Sequence, residues 1–292
     1  MASSKVLKKI KYTMRFIPDK AYIQIYYFAH FKKLCNLENP KTYNEKLNWL
    51  KLHDKNPLYT QIVDKYEAKE YVSNIIGDEY IIPTLGVWEH FEDIDFEALP
   101  NQFVLKCTHD SEGLVIVKDK SKLDKEMAKQ KIEASLKQNF YYIGREWPYK
   151  DVKPRIIAEQ YMEDHVDCEL RDYKFFCFDG EPKAMFIASD RVSGHVKFDY
   201  FDLEFKHLDI KQKYEHADKP LRKPVTFDKM IDLSKILSED FPHVRVDFYE
   251  VDGKLYFGEL TFYHFSGFMP FEPKRWDIIF GNWIKLPHNH KK

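Results

Sequence analysis

The chain has 292 residues, 44% hydrophobic and 32% charged, with 46 Lys+Arg against 47 Asp+Glu. This balance excludes a disordered chain and a globally basic nucleic-acid binder, and a chain of this length buries a sizeable core without disulfide staples. Four cysteines, Cys35, Cys107, Cys168 and Cys177, show no C-x-x-C spacing and read as reduced core thiols.

Residues 1–55 hold twelve Lys/Arg and four Asp/Glu, so a net charge of −1 leaves the remainder acidic. The uncharged stretch 21–31 is too short for the roughly 20 apolar residues that span a bilayer. Lys5, Lys8, Lys9, Lys11 and Arg15 precede it, but no small-residue cleavage site follows, so a cytoplasmic location is expected. Two readings of this basic, Tyr-rich segment stand open. It is either a peripheral contact with a membrane or lipid-linked glycan, or the solvated face of a helical layer. Thr42-Tyr43-Asn44-Glu45 then reads as a capping box opening a helix with Tyr43, Leu47 and Leu50 on one face. A second helix is expected over 57–72, through Leu58, Ile62 and Tyr66, and it carries Asp64-Lys65.

Strands follow at 102–106 and 114–118, separated by a polar loop from Cys107 to Gly113, and 121–141 reads as a long helix facing inward through Leu123, Met127, Ile132 and Leu136. Beyond it, 172–178 and 183–189 flank Asp179-Gly180, and 245–251 and 255–262 flank Asp252-Gly253, which predicts two antiparallel hairpins. Thr226 caps a helix between them, with Met230, Leu233 and Leu237 inward.

The dinucleotide fingerprint, G-x-x-x-x-G-K, H-E-x-x-H and G-x-S-x-G are all missing. A strand-ending Lys106 before a loop of free backbone N–H groups can hold phosphate oxygens, though a solvated hairpin end has the same pattern. Asp247 and Glu259 lie on the two strands of the last hairpin, and facing carboxylates repel unless a cation such as Mg²⁺ sits between them. A two-residue turn at Asp252-Gly253 leaves Asp247 opposite Gly258; a three-residue or bulged turn brings it opposite Glu259, and such a turn is therefore expected. Asp93-Ile94-Asp95 matches the D-x-D of metal-dependent glycosyltransferases, His109 and His264 are candidates for proton transfer, and His288 and His290 belong to a solvated tail.

The ordered set of Asp64-Lys65, Phe103-Val104-Leu105-Lys106 with its loop, Glu159-Gln160-Tyr161-Met162, Arg245-Val246-Asp247 and Glu259-Leu260-Thr261 resembles the ATP-grasp superfamily. More narrowly it is similar to the TupA-like ATP-grasp proteins of teichuronopeptide and surface-polysaccharide biosynthesis. Stretches such as Pro40-Lys41-Thr42-Tyr43-Asn44-Glu45-Lys46, Gly144-Arg145-Glu146-Trp147-Pro148-Tyr149 and Gly258-Glu259-Leu260-Thr261-Phe262 match that family's motifs. The resemblance implies an α+β ATP-grasp fold: a basic helical segment (1–63), a first subdomain with the phosphate loop (64–158), a second with the metal site (159–285) and a tail (286–292).

It implies that Lys65 and Lys106 contact the α and β phosphates under the loop of His109, Ser111 and Gly113. Glu159, Gln160, Tyr161 and Met162 would read adenine, and Glu169 would take the ribose. Lys174 and Arg191 would meet the γ phosphate, Asp247 and Glu259 would hold Mg²⁺, and Arg245 would stabilise an oxyanion. The implied reaction consumes ATP to activate a carboxylate as an acyl phosphate, which an amine converts to an amide. The substrates implied are a glycan uronic acid and an amino acid, with Ser266-Gly267 a candidate acceptor contact. The rival expectations are a glycosyltransferase and a non-catalytic nucleotide-binding module.

Overall fold

The computed structural model describes residues 12–165, 169–191 and 194–287. Cys168, the early Lys5, Lys8, Lys9 and Lys11, and the tail residues His288 and His290 lie outside the described residues. In chain order the elements are α1 (Asp19–Phe31), α2 (Tyr43–His53), α3 (Leu58–Val63), α4 (Glu67–Ile76), β1 (Thr84–Trp88), β2 (Phe103–Cys107), β3 (Leu114–Val117), α5 (Lys125–Leu136) and α6 (Tyr141–Gly144). There follow β4 (Ile156–Gln160), β5 (Asp172–Phe178), β6 (Glu181–Ser189), β7 (Lys197–Phe201), β8 (His207–Leu208), α7 (Phe227–Ser238), β9 (Val244–Val251), β10 (Lys254–Thr261) and α8 (Arg275–Trp283).

Two antiparallel sheets carry the architecture, so the chain is α+β: one of four strands ordered β1-β4-β2-β3, the other of six ordered β10-β9-β5-β6-β7-β8. Each has its own core. Phe103, Leu105, Ile156 and Ala158 of the small sheet pack on Ala128 and Ile132 of α5. In the larger cluster Phe175, Phe176, Phe186 and Phe248 meet Tyr43 and Leu47 of α2 and Met230, Leu233 and Leu237 of α7. The N-terminal helices therefore share the core of the six-stranded sheet. β5 is covered on both faces, which explains why all seven residues of Asp-Tyr-Lys-Phe-Phe-Cys-Phe are buried.

The capping box at Thr42 and Glu45 forms as expected, and Asp277 of α8 adds to it by accepting from the Asn44 N–H at 3.0 Å and its side-chain amide at 2.8 Å. A negative charge there also favours the helix N-terminus. Three element expectations are corrected. The helix over 57–72 breaks at Asp64–Tyr66, because the Asp64 carboxylate accepts from the N–H groups of Tyr66 and Glu67 and starts a new helix. The long helix after residue 121 begins late, capped by Asp124, and buries Ala128, Ile132 and Ser135 while Met127 is 67% exposed. Thr226 does not cap α7; its hydroxyl donates to Glu250 at 2.6 Å.

Candidate functional site

Alternation along a strand sends every second side chain to the same face. Asp172 and Lys174 on β5, Arg245, Asp247 and Tyr249 on β9, and Glu259 and Thr261 on β10 therefore share one face, with Lys174 opposite Asp247, Asp172 opposite Tyr249, and Glu259 opposite Asp247. The last pairing arises in an unexpected place. The turn has two residues, Asp252 and Gly253, both at positive φ (51° and 74°). Regular pairing runs from Lys254–Val251 to Phe257–Phe248, and Gly258 then enters as a bulge that shifts Glu259 opposite Asp247. The expected three-residue turn is thus replaced by a bulge further along the strand. A Cβ at Gly258 would lie 3.0 Å from the Asp247 carbonyl oxygen, which leaves room for glycine.

The cation between the two carboxylates belongs to the chain itself. Arg245 grips Asp247 with Nε and Nη2, both at 2.7 Å, and Nη2 also reaches Glu259 and Thr261 at 3.0 Å. Lys174 contacts Asp247 as well and lies 3.0 Å from Asp172, which also holds Arg191 at 2.7 Å. Burial works against the charge on Glu259, but Lys174, Arg245 and Lys65 hold its carboxyl well below the usual range. With 42% of that side chain exposed, solvent screens part of the effect. Burial raises Asp247 against the pull of Arg245 and Lys174. The donor set of Asp247, Glu259 and the Thr261 hydroxyl is all oxygen, and so suits a hard cation such as Mg²⁺.

The small sheet supplies the opposite wall. Glu159, buried at the end of β4, takes Lys106 of β2 and Lys69 of α4, both at 2.5 Å. Burial opposes its charge, yet the two lysines bring its carboxyl down to about 2. Between the walls lies a cleft of about 180 Å³, lined by apolar Val104, Leu114, Ile116 and Leu170 and by seven of the expected site residues: Lys106, Glu159, Gln160, Tyr161, Met162, Glu169 and Arg191. Larger open grooves of about 670 and 890 Å³ flank α5 and contain none of the expected site residues.

Other expected residues sit differently. Lys65 donates its N–H to Thr108 O at 3.0 Å and its amine to the Asp110 carbonyl, which ties it to the polar loop. Two of that loop's N–H groups, those of Glu112 and Gly113, are not free as expected, because the Asp110 carboxylate accepts from both. Gly113 packs where a Cβ would strike Cys107 and Ser135, Ser111 is exposed, and the His109 ring faces the carbonyls of Ser135 and Gln138, each at 3.1 Å. His109 is thus turned into the end of α5. His264 is 2% exposed; its Nδ1 accepts from Arg245 at 2.8 Å and its Nε2 lies 3.1 Å from the Gln212 side-chain oxygen, and burial pushes the ring well below its ordinary value.

Glu169 is engaged by Arg171 at 2.7 Å and the Asp190 N–H at 2.8 Å, and the Gln160 N–H is spent on the Pro83 carbonyl. Ser266 donates to Glu146 and lends its carbonyl to Lys51. Asp95 caps its own turn through the N–H groups of Glu97 and Ala98, which gives the D-x-D match a local structural role. Sequence reasoning missed Lys69, Asp172 and Tyr249. The signals were there: Lys69 falls one helical turn beyond Lys65, and Asp172 shares a strand face with Lys174.

A family model described as TupA-like ATPgrasp matches residues 45–285. Among solved structures, D-alanine–D-alanine ligase from Bacillus anthracis in complex with ATP gives a TM-score of 0.41 at 17% identity, covering 68% of this chain and 53% of that one. L-amino acid ligase from Bacillus licheniformis gives 0.47 at 12% identity, covering 95% of this chain and 65% of that one. The chain thus spans between about half and two thirds of the length of these structures. No curated protein matches.

Proposed function

The chain belongs to the TupA-like ATP-grasp family, whose model covers residues 45–285, and from that premise we propose that it is an ATP-dependent carboxylate–amine ligase acting on a surface polysaccharide. The observation that carries this reading is that Asp172 and Tyr249, which share a sheet face with Lys174, Arg245, Asp247 and Glu259, line one apolar-walled cleft together with Lys106, Glu159 and Arg191. Adenine fits between Val104, Leu114, Ile116 and Leu170 beside Glu159–Met162, with the ribose at Glu169. Lys65 and Lys106 reach the α and β phosphates under the His109–Gly113 loop, and Lys174 and Arg191 meet the γ phosphate. Asp247 and Glu259 would hold Mg²⁺, which when bound neutralises charge on the phosphate oxygens.

The γ phosphoryl passes to a uronic-acid carboxylate, releasing ADP. An amino-acid amine then attacks the acyl carbon, Arg245 stabilises the oxyanion, and phosphate and a proton leave as the amide forms. The two halves of the grip are taken as residues 64–158 and 159–285, with β4 carrying the four-stranded sheet across that boundary to Gln160. The basic N-terminal helical segment would rest against a membrane that presents the lipid-linked glycan.

The test incubates the protein with MgATP, uronic-acid glycans and a panel of amino acids, reading ADP and the mass of an added aminoacyl group. Lys106→Ala and Asp247→Asn are each expected to lower ADP release by about 100-fold or more. Wild-type rates in both variants would remove the site assignment; consumption of a nucleotide sugar without ADP would favour a glycosyltransferase.

A further inference from the structure

Away from the cleft, at the far edge of the six-stranded sheet, three chain segments bring Asp199 of β7, His207 of β8 and His216 of the following loop together. His207 Nε2 lies 3.0 Å and His216 Nδ1 3.4 Å from Asp199 Oδ1. The rings stand 4.9 Å apart at 72°, and one ligand atom from each of the three residues falls within 4.8 Å of the others. Asp199 is 5% exposed. Its carboxylate meets these two rings and the Ala217 N–H, 2.9 Å from Oδ2, and no Lys or Arg among the described residues pairs with it.

A buried carboxylate without a cationic side chain is costly unless something positive joins it. His216 Nδ1 also lies 3.0 Å from the Phe198 carbonyl, which holds the ring beside Asp199. His207 and His216 are 46% and 35% exposed at the side chain, so the cluster opens to solvent on one side. Two imidazoles and one carboxylate with an open position suit a borderline-soft dication; Mg²⁺ prefers oxygen.

We propose that Asp199, His207 and His216 form a transition-metal site, with Zn²⁺ the fitting ion, separate from the nucleotide cleft. The metal fastens the loop after β8 to β7, where the Phe198 N–H already donates to the Glu215 carbonyl at 3.0 Å. The proposal does not depend on the ligase reading.

Calorimetry with Zn²⁺ on the untagged chain, in excess Mg²⁺ to fill oxygen-only sites, is expected to show one saturable ion per chain and a higher Tm. His207→Ala and His216→Ala should each weaken binding by more than the ~10–100-fold that a lost outer partner of a ligand costs. Both should also erase the visible band of the Co²⁺-loaded protein. His207 is half-exposed, so its variant should keep the wild-type circular dichroism. No saturable uptake, uptake unchanged in both variants, or uptake lost only when His288 and His290 become alanine would each overturn the proposal.

Discussion

His243 shows how far burial can set the chemistry of a single residue. Its Nδ1–H donates to the Cys177 carbonyl at 2.8 Å and its Nε2 accepts from the Tyr43 hydroxyl at 2.9 Å, so both nitrogens are used by the neutral ring. Burial pushes the ring down to about 3, only partly offset by the Cys177 hydrogen bond. A folded-state value below the unfolded one means that the stabilisation is complete above about pH 6.5 and is lost as pH falls toward 3. At pH 5 this one residue should cost about 2 kcal/mol relative to neutral pH. Urea unfolding at pH 7.5 and 5 should show that loss in the wild type and less of it in His243→Gln; equal slopes would refute the assignment. The sequence named Arg245, Asp247 and Glu259 from motif and spacing. It gave no means of seeing that His264 and His109 are locked in place, because a histidine's role is fixed by what surrounds it.

Among the elements, the β9–β10 hairpin carries the most consequence. Period-two alternation made both strands legible, and Asp252-Gly253 marked the turn. Bulges leave a fainter mark: a lone glycine within a strand, here Gly258, that only the close approach of the Asp247 carbonyl explains. Gly258→Val should destabilise the protein by about 1–3 kcal/mol through that contact and the nearby Tyr249 ring. It should also lower ADP release by displacing Glu259 from Asp247. An unchanged urea midpoint would remove the close-approach argument. The split of the 57–72 helix has a comparable cause: apolar spacing continued through Asp64, and only the side chain's bonds to its own backbone ended the first helix.

At the scale of the whole molecule, the N-terminal face stands out. Phe16 (82% exposed), Ile25 (49%), Phe28 (53%) and Leu34 (67%) lie uncovered alongside exposed Lys20, Lys32 and Lys33. No helix among the described residues is long and apolar enough to cross a membrane, so contact there would be peripheral. Exposed apolar side chains interspersed in sequence with exposed lysines complement an anionic lipid surface. The protein should co-float with vesicles containing phosphatidylglycerol and not with neutral ones, and Phe16→Ser with Phe28→Ser should abolish flotation; equal binding to neutral vesicles would exclude the electrostatic account. The amino-acid order alone determined both hairpins and most helices, because these depend on periodicities of two and 3.6 residues that a linear pattern displays, while the resemblance carried by its charged motifs implied the α+β class. Only the tertiary structure decided which charges meet: Arg245 between Asp247 and Glu259, Lys69 beside Lys106 on Glu159, and two histidines around Asp199. Such meetings join residues far apart in the chain, and their energetics depend on burial and distance, which are properties of the folded state.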